Sequence, residues 1–203
     1  MNNAEQLNEF GYLIIDNFLP VEKADEIYNL YNNHPNWELV EQIREKHYSH
    51  VFKSESSHLP QENEIYSSAF HRSALLEENA LIVDAVKNEF AAFAAQAAGF
   101  PIAKIEKRCY KLPASNHYRI HYDSFIGQIN LIYYVNKNWV WDWGGILNVL
   151  SDKDENFNKP IFPKFNRLVL LDNKKFRSPH FVSSVEKYAS EPRYTMTLFA
   201  SEN

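Results

Sequence analysis

The chain has 203 residues, of which 45% are hydrophobic and 15% aromatic, and 21 basic against 26 acidic side chains leave a net charge of −5. It has only five glycines, and neither a G-x-G-x-x-G nor a G-x-x-x-x-G-K-[ST] run brings backbone N–H groups against phosphate. Rossmann dehydrogenases, P-loop NTPases and kinases are thereby disfavoured, and the acidic balance argues against a nucleic-acid partner.

The single cysteine, Cys109, excludes an internal disulfide or a Cys-based metal cluster and reads as a buried reduced thiol. No basic-then-apolar leader is visible in MNNAEQLNEF, and the longest aliphatic run, near Leu168–Leu171, is far too short to span a bilayer. The expectation is a cytoplasmic protein without membrane contact, its oligomeric state open.

In chain order, Tyr12–Phe18 reads as a short strand. Pro20 opens a helix with Ala24, Ile27, Tyr28 and Tyr31 at helical spacing. Residues 36–72 show no sustained period and read as irregular, with short strands or a lid as the candidates there. Ser73–Ala98 reads as the strongest helix, with Ile82, Val83, Val86, Phe90, Phe93 and Ala97 on one face and Gly99 as its C-cap. After Pro101 come seven β-rich runs: Ile102–Leu112, Tyr118–Tyr122, Ile126–Val135, Gly145–Leu150, Arg167–Leu171, His180–Val185 and Tyr194–Ala200. Turn clusters at Pro113–Asn116 and Ser151–Asn158 separate them. Helices first and strands second imply an α+β fold within one domain over 1–203, with helices packed on a sandwich or barrel.

Chemistry concentrates in the second half. His121-Tyr122-Asp123 places an imidazole and a carboxylate on one face of a strand. Alone, the pair also reads as surface residues at a strand end. His180, at the start of a later strand, supplies a second imidazole, and two His with one carboxylate form the facial triad of non-haem Fe(II) oxygenases. Arg193 leads an otherwise apolar and Thr-rich strand, where a buried guanidinium requires a partner. A dicarboxylate would supply one bidentately.

These residues, in this order, carry a resemblance. Cys109-Tyr110, Tyr118–Asp123, Leu131–Trp139, Gly144–Leu147, Pro163–Leu168, Ser178–His180 and Arg193–Thr197 resemble the Fe(II)/2-oxoglutarate dioxygenases, most closely the prolyl hydroxylase branch with the oxygen-sensing enzymes and their bacterial relatives. The resemblance implies a double-stranded β-helix (jelly-roll) over 101–203. Residues 1–100 would then be mainly helical support and a substrate-covering region. It further implies Fe(II) on His121, Asp123 and His180, and 2-oxoglutarate held by Arg193, Tyr134 and Tyr110. Tyr118, Ile132, Leu147, Val182 and Phe199 would line the pocket, residues that core packing alone would also explain. Tyr133 would face the opposite side of its sheet from Tyr134.

O2 would be the second cosubstrate, with ascorbate as an optional reductant. An intact carboxylate ligand implies hydroxylation rather than halogenation. The implied substrate is a prolyl residue of a protein or peptide, with a free amino acid or small metabolite as the alternative. A non-catalytic jelly-roll binding module and a hydrolytic zinc enzyme are the remaining readings. Three features depart from the oxygen-sensing pattern. The turn after Asp123 is shorter, no arginine there matches one that contacts the peptide, and the His180-to-Arg193 spacing is longer. Trp141-Asp142-Trp143 reads as a hydrophobic plug in preference to a substrate wall, and His47, His50, His58, His71 and His117 as non-ligands.

Overall fold

The computed structural model describes residues 7, 9–45, 65–151, 154 and 156–202. After β1 (Tyr12–Ile15) comes α1 (Val21–Asn32), led by Pro20 and burying Ala24, Ile27 and Tyr31 as their spacing requires. Strands β2 (Glu38–Glu45) and β3 (Ile65–Arg72) pair along their whole length, Glu38 opposite Arg72 and Glu45 opposite Ile65. Much of the stretch read as irregular is therefore sheet. β2 is a sheet edge, and an edge rich in charge lacks the alternation that marks a half-buried strand.

The long helix expected over Ser73–Ala98 is divided. α2 (Ala74–Glu77) is capped by Ser73, whose Oγ accepts the Leu76 N–H at 3.2 Å. α3 (Ala80–Ala85) is capped by Asn79, whose Oδ1 accepts the Leu81 N–H at 3.0 Å. A π-helical turn (Val86–Phe90) then leads into α4 (Ala91–Ala98), which ends at Gly99 with φ 73°. The wider π turn shifts the buried face. Ile82, Val86 and Phe90 stay in the core with Ala94, whereas Val83 is 39% exposed.

The β-rich half contains β4 (Lys104–Leu112), β5 (Tyr118–His121), β6 (Ile129–Tyr134), β7 (Leu147–Leu150), β8 (Asn158–Ile161), β9 (Leu168–Asp172), β10 (His180–Val182) and β11 (Arg193–Ser201). β8 begins where the expected turn cluster Ser151–Asn158 ends and was not among the expected strands. It is an edge strand containing Pro160, a position where the missing N–H is tolerated. Among the described residues the larger sheet runs β1-β9-β6-β11-β4-β3-β2 and the smaller β5-β10-β7-β8, with antiparallel pairing throughout. Two antiparallel sheets face to face with helices outside form the α+β jelly-roll that the sequence implied.

Both faces of the larger sheet are covered, so β6 is buried at every position instead of alternating. Its Leu131 and Tyr133 join the helix-side core with Ile27 and Phe90, while Ile132 and Tyr134 join the core between the sheets. Tyr133 and Tyr134 therefore diverge as expected. Cys109 is fully buried on the helix side.

An ion cluster ties the turn after β1 to the segment before β9. Arg167 Nε donates to Asp16 Oδ1 at 2.6 Å and Lys164 Nζ to Oδ2 at 2.9 Å. The Arg167 hydrogen bond, helped by Lys164, holds the Asp16 carboxyl down to about 2 from 3.8. A carboxylate depressed on folding adds stability above its ordinary value and loses it as pH falls through the folded one. Urea unfolding at several pH values should show Asp16→Asn less stable than wild type near neutrality. The two curves should converge between about pH 4 and pH 2, and a pH-independent difference would contradict the assignment.

Candidate active site

Pairing of β5 with β10 sets His121 opposite His180. Their rings lie 4.3 Å apart, and Asp123 follows just beyond β5. His121 Nδ1 is 2.5 Å from the Arg119 carbonyl, and His180 Nδ1 is 2.9 Å from that of Ser178. A carbonyl only accepts, so both Nδ1 atoms carry hydrogen and each Nε2 presents a lone pair. His121 Nε2 lies 3.8 Å from Asp123 Oδ1, and His180 Nε2 3.3 Å from Oδ2. One ligand atom from each residue falls within 4.8 Å of the others. Burial opposes ionisation of Asp123, but His121, His180 and Arg108 outweigh it and hold the carboxyl below its usual value. Burial likewise opposes charge on His180, but the Asp123 carboxylate beside it raises its affinity for a proton. Two oriented imidazoles and a buried carboxylate suit a divalent cation that leaves three positions open.

The triad opens into a cavity of about 70 Å³ between the sheets. Arg193, first residue of β11 and 3% exposed, lines it. Its placement is over-determined. Asn136 Oδ1 accepts the Tyr194 N–H at 2.6 Å while its Nδ2 donates to the Pro192 carbonyl at 2.9 Å, clamping both neighbours. The guanidinium lies 5.0 Å over the Tyr134 ring. Among the described residues, Arg193 Nε and Nη2, Tyr134 Oη and Tyr118 Oη are buried without a hydrogen-bond partner. Burial pushes Tyr134 and Tyr118 up, so both hydroxyls are donors at neutral pH. Arg193 and Tyr118 line the cavity, whereas Tyr134 does not and lies buried against the guanidinium. A cation and hydroxyl donors left unmet there are a costly arrangement unless an acceptor-rich anion enters. A dicarboxylate fits that donor set.

Gly145 makes room for the arginine. A Cβ there would lie 3.0 Å from Arg193 Cδ and 3.1 Å from Trp139 Cζ2, at a φ of +64°. Gly145 therefore lies against the arginine without itself lining the cavity, and Gly144 lies against the Ser184 backbone.

Tyr110, Tyr118, Ile132, Leu147, Val182 and Phe199 all line the cavity. The Tyr110 hydroxyl accepts from Arg108 Nη1 at 3.4 Å, so the unmet phenol on this wall is that of Tyr118. Sequence reasoning missed Arg108, Asn130, Thr195 and Thr197, which also face the cavity. Strand alternation was the available signal. Stepping by two from Arg193 gives Thr195, Thr197 and Phe199, from Tyr110 gives Arg108, and from Ile132 gives Asn130.

The tryptophan expectation needs correction. Trp141–Trp143 form a 3-10 turn in which Trp141 is 62% exposed against Phe162 and only Trp143 packs inward, on Trp139. Neither lines the cavity. His71 and His117 lie outside the metal-ligand group, and His47, His50 and His58 fall outside the described residues.

Comparison with known proteins agrees with this geometry. The model of the 2OG-Fe(II) oxygenase superfamily matches residues 106–200, which span the triad and Arg193. That match covers the β-rich part of the chain that carries the site. With the His121-Asp123-His180 group it assigns a 2-oxoglutarate-dependent dioxygenase, an enzyme class that uses Fe(II), 2-oxoglutarate and O2. A prolyl hydroxylase from Trichoplax adhaerens, solved with a peptide fragment of the hypoxia inducible factor oxygen degradation domain, shares the fold. It has TM-score 0.66 and 22% identity over 98% of this chain and 86% of that one. A Pseudomonas putida prolyl-4-hydroxylase matches with TM-score 0.62 and 15% identity over 99% and 97% of the two chains. The viral collagen prolyl hydroxylase of Paramecium Bursaria Chlorella virus-1, solved with 2OG, gives 0.53 and 15% over 96% and 97%. Among the described residues, no helix of this oxygenase is long and apolar enough to cross a membrane.

Gly145→Ala is expected to displace Arg193 and weaken 2-oxoglutarate binding roughly tenfold, about 1.4 kcal/mol, with metal affinity retained. Calorimetric titration in the presence of Mn(II) reads both, and wild-type 2-oxoglutarate affinity would refute the packing argument.

Proposed function

We propose that this oxygenase hydroxylates a C–H bond of a prolyl residue in a protein or peptide, with release of succinate and CO2. The observation that carries the reading is the pair of unmet donors, Arg193 and Tyr118, lining the same cavity as His121, Asp123 and His180, with the buried Tyr134 against the guanidinium. The prolyl substrate is favoured by the fold neighbours, which include prolyl hydroxylases from an animal, a bacterium and a virus.

In this reading each residue has one task. His121 and His180 offer Nε2 and Asp123 offers a carboxylate oxygen to the metal. Arg193 grips the distal carboxylate of 2-oxoglutarate with its fork, and Tyr134 adds an O–H donor. The Tyr118 hydroxyl faces the same cosubstrate from the β5 side, with Tyr110 beside it. Ile132, Leu147, Val182 and Phe199 exclude water, so these charge contacts act in a low dielectric. Bound Fe(II) supplies activation of O2 at the expense of 2-oxoglutarate, giving succinate, CO2 and one oxygen atom for the substrate.

The test is aerobic incubation with Fe(II), ascorbate and 2-oxoglutarate, using a panel of proline-containing peptides, free amino acids and small metabolites. Succinate is quantified and the products are weighed. The expected result is succinate release stimulated by a peptide that gains one oxygen on proline. Stimulation by a free amino acid alone would move the substrate to the small-molecule class. Arg193→Met should raise the 2-oxoglutarate KM by about two orders of magnitude, the loss of a charge-assisted pair of roughly 2–3 kcal/mol. Oxygen-independent turnover that survives Arg193→Met would overturn the reading.

A further inference from the structure

Asp123 differs from the two histidines in how it is held. His121 and His180 belong to paired strands, but Asp123 lies past the end of β5 in a turn. Its backbone carbonyl accepts the N–H of Ile126 at 2.8 Å and of Gly127 at 3.2 Å, which shapes the turn without fixing the carboxylate. The side chain is tethered from elsewhere. Asn130 Nδ2 donates to Asp123 Oδ2 at 2.6 Å. Asn130 is fully buried in the middle of the larger sheet, opposite Phe199 of β11 and Leu171 of β9. A rigid central strand thus holds a ligand that the loop alone would leave free to turn.

Two features give this bond a direction. An ionised carboxylate only accepts, so the amide must point Nδ2 at Asp123, which fixes the orientation of the side chain chemically. Asn130 Oδ1 is then left buried, lining the cavity and without a partner. A dicarboxylate, itself acceptor-only, cannot satisfy that oxygen, so Asn130 reads as a clamp on Asp123 and not as a cosubstrate contact.

We propose that Asn130 is a positioning residue that ties up Asp123 Oδ2, so that Asp123 ligates the metal through one oxygen. The consequence is a count of coordination positions. Two imidazoles and one carboxylate oxygen leave three of six positions open. A carboxylate ligating through both oxygens would leave two, which 2-oxoglutarate fills by itself. The strong short bond to Asn130 competes for the second oxygen and keeps the sixth position available. Removing such an outer hydrogen bond from a metal ligand typically costs 10–100-fold in metal affinity. The proposal rests on the metal-site reading above, and His121→Ala separates failure of one from failure of the other.

The experiment compares wild type, Asn130→Leu and His121→Ala as Co(II)-loaded proteins under nitrogen. Co(II) affinity and the visible d–d spectrum are measured with and without 2-oxoglutarate, and the melting temperature of each metal-free form is taken alongside. Asn130→Leu, of nearly equal shape, should bind Co(II) roughly 10–100-fold more weakly with an altered spectrum, its metal-free melting temperature staying close to wild type. His121→Ala should lose the site. Wild-type affinity and spectrum in Asn130→Leu, with His121→Ala defective, would overturn the proposal alone. A His121→Ala protein that binds as wild type would overturn the metal-site reading. A second measurement needs no variant at Asn130. Metal-minus-apo difference infrared spectra of protein with isotopically labelled Asp should show the wide carboxylate splitting of one-oxygen ligation in wild type and no such signal in His121→Ala. A narrow, two-oxygen splitting in wild type contradicts the proposal.

Discussion

The structure is organised around a buried cation with no acidic partner among the described residues. Arg193 is 3% exposed, and two of its donor nitrogens meet no acceptor, as do the phenols of Tyr134 and Tyr118. A folded protein tolerates such a group only where the charge is met by something from outside, because desolvating it unpaired costs several kcal/mol. Burial indeed pushes Arg193 below its ordinary value, the signature of a charge held at a cost. Much of the surrounding architecture serves this one side chain. Asn136 clamps its backbone neighbours, Gly145 gives it space, and the Tyr134 ring lies beneath it.

The two sheets divide the work. The smaller carries the metal-ligating imidazoles on β5 and β10, registered by strand pairing. The larger carries the anion-binding end on β11 and the outer support for Asp123 on β6. Register explains the order of groups along the cavity. On β11 and β4, Arg193 sits opposite Leu112, Thr195 opposite Tyr110, and Thr197 opposite Arg108. The inner face therefore runs from Arg193 at one end to Phe199 at the other, with the Arg108 guanidinium 4.8 Å over the Phe199 ring. The helices bury the opposite face of the larger sheet, which is why β6 and β11 are buried along almost their whole length. Rigidity on the helix side lets the cavity side hold unsatisfied polar atoms.

The triad and Arg193 were legible because each sits at a strand end in a recognisable local pattern, and their order along the chain matched a known constellation. Tyr134 and Tyr133 could be assigned to opposite faces by alternation alone. Asn130 and Arg108 carried the same alternation signal, two residues from Ile132 and Tyr110, but nothing in their type singled them out. Each looks like an ordinary polar residue in a strand until pairing shows which face meets the cavity. The β2–β3 pairing escaped because its strands sit far apart in sequence and are rich in charge. β8 was hidden by Pro160, and the π turn over Val86–Phe90 displaced the helical face without changing its composition. What the sequence withheld was contact between distant segments, while what it disclosed was chemistry carried on single strands.

The account stands on one coupling, that the metal and the dicarboxylate occupy a single cavity built by His121, Asp123, His180 and Arg193. Anaerobic optical titration of 2-oxoglutarate into the Fe(II)-loaded protein tests it most directly. A visible metal-to-ligand charge-transfer band should grow with cosubstrate in wild type and be absent without Fe(II) or in His180→Ala. It should require far more 2-oxoglutarate in Arg193→Met. Absence of the band in wild type, or a band indifferent to both substitutions, would contradict the account.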